Sequence, residues 1–104
     1  LAADGVEVEV VDLRTVSPID LETITESIRR TGRLVVAHEA VVTGGLGAEL
    51  VAAVHAAAFN SLTSPAIRVG APFTPVPASP HLERLYVPTV DDVIAAVLET
   101  LPER

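Results

Sequence analysis

The apolar run Leu34-Val35-Val36-Ala37 passes through His38 and Glu39 into Thr43-Gly44-Gly45-Leu46-Gly47, after which apolar residues recur at helical spacing. A short continuous apolar run suits a parallel strand covered on both faces. The glycines allow a tight reversal, and a helix then opens on Leu46. A strand that needs cover on both faces, followed at once by a helix, restricts the fold to an alternating α/β arrangement around a parallel sheet. Ligands and partners of such sheets sit at the carboxyl ends of the strands. His38 and Glu39 lie at such an end.

The remaining elements fit the same plan. Val6-Glu7-Val8-Glu9-Val10-Val11 alternates and then turns apolar, predicting a strand with one partly exposed face. Ser17 is placed as a helix cap, with Pro18 at the first helical position and Asp20 three residues after the cap. Leu21, Ile24 and Ile28 then share one face, and Gly32 ends that helix. The helix from Leu46 to about Phe59 turns Leu50, Val51, Val54 and Ala58 inward, and Pro65 leads into a strand over Ala66 to Val69. Prolines at 72, 75, 77 and 80 predict a stiff irregular loop. Thr89 and Asp92 form a capping box for a last helix that buries Val93, Ile94, Val97 and Leu98.

The length of 104 residues allows a single domain over residues 1–104. Its start reads differently from its middle. Leu1-Ala2-Ala3-Asp4-Gly5 resembles the last turn of a helix with its terminating glycine, and three parallel strands are few for a doubly wound sheet. The expectation is a fragment that lacks an upstream strand and most of a first helix. No 18-residue stretch is both apolar and free of charge, against a membrane span, and no leader segment is visible. The chain has no cysteine, which removes disulfide and thiolate-metal readings and fits a reducing compartment.

Fourteen acidic residues face seven basic ones, every one of them arginine, for a net charge of −7. Nucleic-acid binding rests on basic surface, so the balance excludes that class and favours a basic partner.

Taken singly, the candidate chemical residues point to structure. His38 and Glu39 are adjacent, and neighbours on an extended chain point opposite ways. The Thr43–Gly47 turn lacks both the dinucleotide-binding glycine spacing and a phosphate-binding lysine. His38, His55 and His81 are scattered and form no zinc set. Asp91 and Asp92 are explained by helix capping. No residue is assigned to catalysis, to a cofactor or to a metal.

Three strings together carry a resemblance. Val11-Asp12-Leu13-Arg14-Thr15-Val16-Ser17-Pro18-Ile19-Asp20, Thr31-Gly32-Arg33-Leu34-Val35-Val36, and His38-Glu39-Ala40 with Thr43-Gly44-Gly45-Leu46-Gly47-Ala48-Glu49 resemble the beta subunit of 2-oxo acid dehydrogenase E1 of the pyruvate or branched-chain type. The likeness is to its C-terminal, transketolase-C-like domain, and continues through Pro65–Val69 and Thr74–Pro77 to the last helix. It implies a three-layer α/β/α fold with a mostly parallel sheet, truncated at its N-terminus. The missing strand would then be central, between Val6–Val11 and Leu34–His38.

The resemblance also implies an enzyme component (EC 1.2.4.-) of the oxidative decarboxylation of 2-oxo acids. Thiamine diphosphate and Mg2+ would serve the complete enzyme, with neither held by this fragment. The implied partners are an E1 alpha subunit, a second beta subunit and the basic peripheral subunit-binding domain of E2, with no nucleic acid and no membrane. The implied location is the bacterial cytoplasm, or the mitochondrial matrix in a eukaryote. Two positions depart from the family: Leu62-Thr63-Ser64-Pro65 is neutral where an acid is common, and Phe73 stands where Asp commonly precedes Thr-Pro. Thr63, Glu99 and Glu103 are the candidate E2-binding residues, the last two by charge and exposure. The alternative is a free-standing flavodoxin-like module that uses the Gly44–Gly47 turn for an anion.

Overall fold

The computed structural model describes residues 1–103 of the chain. A single 3-10 turn over Ala2–Asp4 ends on Gly5, whose φ of 77° is left-handed. The first regular helix, α1 (Leu21–Thr31), is capped by Asp20. The Asp20 carboxylate accepts from Thr23 Oγ1 at 2.7 Å and from Thr23 N at 3.1 Å. This corrects the placement of the cap at Ser17: Val16 and Ile19 close a turn by an isolated bridge, and the helix waits for the side chain that can bind its free N–H groups. Those bonds, the Thr23 hydroxyl first and its amide second, hold the Asp20 carboxyl below its ordinary range.

Strand β1 (Val35–Val41) follows, then helix α2 (Leu46–Ala58) with a 3-10 turn over Phe59–Ser61, and strand β2 (Ile67–Ala71). β1 and β2 pair in parallel, with Val35 opposite Ile67, Val36 opposite Arg68 and Ala37 opposite Val69. The expected third strand does not form. Among the described residues Glu7 to Asp12 make no backbone–backbone hydrogen bond, and a strand exists only through its ladder. The sheet therefore has two strands.

The proline-rich stretch is irregular only up to Ser79. Pro80 opens a short helix, α3 (Pro80–Tyr86), because proline's fixed φ and missing N–H suit the first helical position. Helix α4 (Val90–Glu99) carries the predicted box: Asp92 accepts from Thr89 N, and Thr89 Oγ1 accepts from Asp92 N. The Thr89 amide, and then its hydroxyl, hold the Asp92 carboxyl below its usual range. Its buried face differs from the prediction. Ala96 and Thr100 are the buried positions while Leu98 is 47% exposed, since the face meeting only two strands is narrow.

α1 and α2 pack on one another, and α2 on β1; α4 lies on both strands and shares no extended interface with α1 or α2. These are three layers. The core is Ile24, Ile28, Leu50 and Val54, joined by partly buried Leu13, Ile19, Leu34 and Val36. Ile28 and Val54 are the largest side chains sealed from solvent.

Candidate functional site

The carboxyl end of β1 is built around His38. Its Nε2 accepts a hydrogen bond from the Gly47 amide at 3.0 Å, which fixes the hydrogen of the neutral ring on Nδ1. Nδ1 itself is buried without a hydrogen-bond partner among the described residues. Three glycines surround the ring. A Cβ at Gly47 would lie 2.6 Å from Nε2, and one at Gly70 2.9 Å from Cε1 and 3.0 Å from Nδ1. A Cβ at Gly45 would strike the Val41 carbonyl and approach Cε1 to 3.4 Å. The turn glycines thus make room for an imidazole.

The sheet breaks register at the same place. Ala37 pairs with Val69 and Val41 with Ala71, so His38, Glu39 and Ala40 stand opposite Gly70 alone. The Ala40 carbonyl would lie 2.7 Å from a Gly70 Cβ, so the bulge closes directly over that residue. Arg68 Nη1 donates to the Val42 carbonyl at 2.6 Å and straps the far side. Bulges re-aim side chains: here His38 turns inward and Glu39 is exposed.

The Gly47 N–H, the group a phosphate would need at the start of α2, is committed to His38, so the turn does not fit an anion. Among the described residues no three His, Cys, Asp or Glu side chains gather as a possible metal set. His55 is exposed and packs against Phe59, with ring centroids 4.7 Å apart, and His81 is exposed on α3.

Two of the three candidate E2-binding residues, Thr63 and Glu99, lie by the amino end of β1. Thr63 donates to the Gly32 carbonyl through its amide at 2.8 Å and its hydroxyl at 3.0 Å, closing the C-terminus of α1. Next in the chain, Arg33 Nε donates to the Thr100 carbonyl at 2.9 Å and so binds the end of α4, where a cation complements the negative end of the helix dipole. Gly32 and Arg33 therefore bring Thr63 and Glu99 to one end of the molecule. Glu103 is exposed. Neither Arg33 nor Gly70 was singled out from the sequence. Gly70 left a signal there, since a lone glycine in a strand marks a bulge or a close backbone approach.

A third feature runs along the open edge of β1. A cleft of about 550 Å³ is lined by Val6, Val8 and Val11 of the unpaired segment, by Val35 and Ala37 of β1, and by core residues such as Ile28. Arg30 Nη2 and Glu9 Oε1, 2.5 Å apart, tie the outer segment to α1.

Comparison with known proteins agrees with this layout. Residues 1–93 match the family described as transketolase, C-terminal domain. The chain is 45% identical over 101 residues to the beta subunit of acetoin:2,6-dichlorophenolindophenol oxidoreductase of Cupriavidus necator, covering 97% of this chain and 30% of that protein. It is 43% identical over 101 residues to the pyruvate dehydrogenase E1 component subunit beta of Bacillus subtilis, covering 97% and 31%. A mitochondrial pyruvate dehydrogenase E1 beta-2 subunit of Oryza sativa is 38% identical over 96 residues, covering 92% and 26%. The chain spans less than a third of the length of these relatives, and the flavodoxin-like alternative falls. With residues 1–93 matched to its model and this extent of likeness to E1 beta subunits, the chain belongs to the transketolase C-terminal domain family, in the form found in E1 beta subunits.

Proposed function

We propose that this chain is the C-terminal domain of the beta subunit of a thiamine-diphosphate-dependent 2-oxo acid dehydrogenase E1, and that it serves subunit assembly and E2 docking. The observation that carries the reading is the contrast between its two surfaces. The carboxyl end of β1, where chemistry would sit, is filled by His38, whereas the edge of β1 borders an apolar cleft of about 550 Å³. In the full subunit, a strand from the polypeptide preceding Leu1 enters that cleft and pairs with both Val6–Val11 and Val35–Ala37. Two strand spacings of nearly 5 Å each are the room such an insertion needs.

In this reading thiamine diphosphate and Mg2+ are held elsewhere in the complete enzyme, and no residue described here touches them. The partners are an alpha subunit, a second beta subunit and the basic subunit-binding module of E2, which the charge of −7 attracts. No helix among the described residues is long and apolar enough to cross a membrane. The proposed location is the cytoplasm of a bacterium, or the mitochondrial matrix of a eukaryote.

The test has two parts. Full-length beta subunit co-expressed with its alpha subunit should decarboxylate a substrate and acylate lipoyl groups, while the 104-residue chain alone should show no thiamine diphosphate binding by calorimetry. Binding to the E2 module should weaken with added salt, since exposed charges are screened over about 8 Å at physiological ionic strength, chiefly through the on-rate. Cofactor binding by the chain alone, or E2 binding indifferent to salt, contradicts the assignment. The likeness to acetoin-type as well as pyruvate-type subunits makes acetoin, pyruvate and branched 2-oxo acids the substrates to compare.

A further inference from the structure

Two strand-forming segments face each other across the cleft without pairing. On one side Val35–Ala37 present the open edge of β1. On the other, Val6 to Val11 alternates valine with glutamate before ending on two valines, a pattern that suits a half-exposed strand. An open strand edge is a template for any extended chain beside it. Among the described residues Glu7 to Asp12 nevertheless make no backbone–backbone hydrogen bond. Some contact holds the segment off β1.

The neighbours of the segment identify that contact. Val6 is buried at one end, and Leu13, just beyond the other, packs against the core. Between them Val8 is 47% and Val10 85% exposed, so apolar packing does not fix the middle. Glu9 fixes it, through the 2.5 Å contact of its Oε1 with Arg30 Nη2. Among the described residues this is the only ion pair that joins positions more than three apart in the chain. Arg30 belongs to α1, and α1 forms a wall of the cleft through Ile24, Ser27, Ile28 and Thr31. A tie to the wall preserves the gap between the two strand-forming segments, where a tie to β1 would close it.

We propose that the Arg30–Glu9 pair is a spacer that keeps Val6–Val11 from pairing directly with β1, a role that rests on the reading of the cleft as the slot for a preceding strand. The pair gives the slot its width before the strand arrives. Both side chains are solvent-exposed, and exposed ion pairs contribute little to final stability. Its effect falls on the order of assembly: direct pairing of Val6–Val11 with β1 would bury the edge that the incoming strand needs.

The test is pulse-labelled hydrogen exchange during refolding of the full-length beta subunit, read at Val6–Val11 and Val35–Ala37. Glu9→Gln and Arg30→Gln should each slow the arrival of native protection in both segments about two- to fivefold, the range that an exposed ion pair allows. The unfolding rate should stay unchanged, as it does for contacts made before the rate-limiting step. Glu9→Arg together with Arg30→Glu should restore the wild-type rate. High salt should bring the wild type to the rate of the single variants, because it screens exposed charges. Single variants without effect, variants that only speed unfolding, or no recovery in the exchanged pair would each overturn the spacer. Absence of native protection from both segments in the wild-type full-length subunit overturns the reading of the cleft itself.

Discussion

His38 Nε2 accepts the Gly47 amide at 3.0 Å, and this bond joins the last residues of β1 to the first turn of α2. A ring placed there leaves no space for a side chain at position 47, where a Cβ would sit 2.6 Å from that nitrogen. Histidine and glycine therefore depend on each other.

Gly47→Ala should destabilise the full-length subunit by about 1–3 kcal/mol, as overpacking does, despite alanine's better helix propensity. In a His38→Ser background the same change should cost much less, because the obstructing ring is gone. Chemical denaturation of the four members of the cycle measures the coupling. Additive effects would show that the ring and the glycine are independent.

Acid should weaken both capped helices. The folded-state carboxyls of Asp20 and Asp92 are held below their ordinary range by hydrogen bonds from Thr23 and Thr89. A lowered folded value means that this stability is complete above the unfolded carboxylate range, near pH 4, and is lost as pH falls through the lower folded values. Melting temperatures of Asp20→Ala and Asp92→Ala should lie below wild type at neutral pH and converge with it on acidification. Parallel profiles across that range would contradict the assignment.

Thr63 has a structural task that bears on its proposed docking role. Thr63→Val removes the hydroxyl bond to the Gly32 carbonyl and should cost about 1 kcal/mol. Thr63→Asp introduces a negative charge at this end and should tighten binding of the basic E2 module if docking uses it. It should also lower the melting temperature, since its carboxylate faces a carbonyl at the negative end of α1. Titration calorimetry and melting measured on the same variant separate the two effects. Unchanged affinity moves the docking surface elsewhere.

Much of this fold can be read in the chain because local chemistry specifies it. Thr89 and Asp92 announce the start of α4, Gly32 ends α1, and Leu50, Val54 and Ala58 mark the inner face of α2. The misreadings come from tertiary context. Val6–Val11 alternates as a strand does, yet a strand needs a partner to pair with. Ser17 is an eligible cap, but Asp20 binds the free N–H of Thr23. Pro80 looks like one more loop proline until the residues after it form a helix. At the site, His38 and the glycine turn stand out in the sequence. Their dependence on Gly70 does not, because a three-residue bulge against one partner is a property of pairing between distant segments.

The proposal that a preceding strand completes this sheet is tested most directly by amide hydrogen exchange on the 104-residue chain and on one extended upstream by about forty residues, the length of one strand and helix with their connections. The account predicts strong protection at Val6–Val11 and Val35–Ala37 only in the longer chain, with a higher melting temperature. Equal protection and equal melting in both would contradict it.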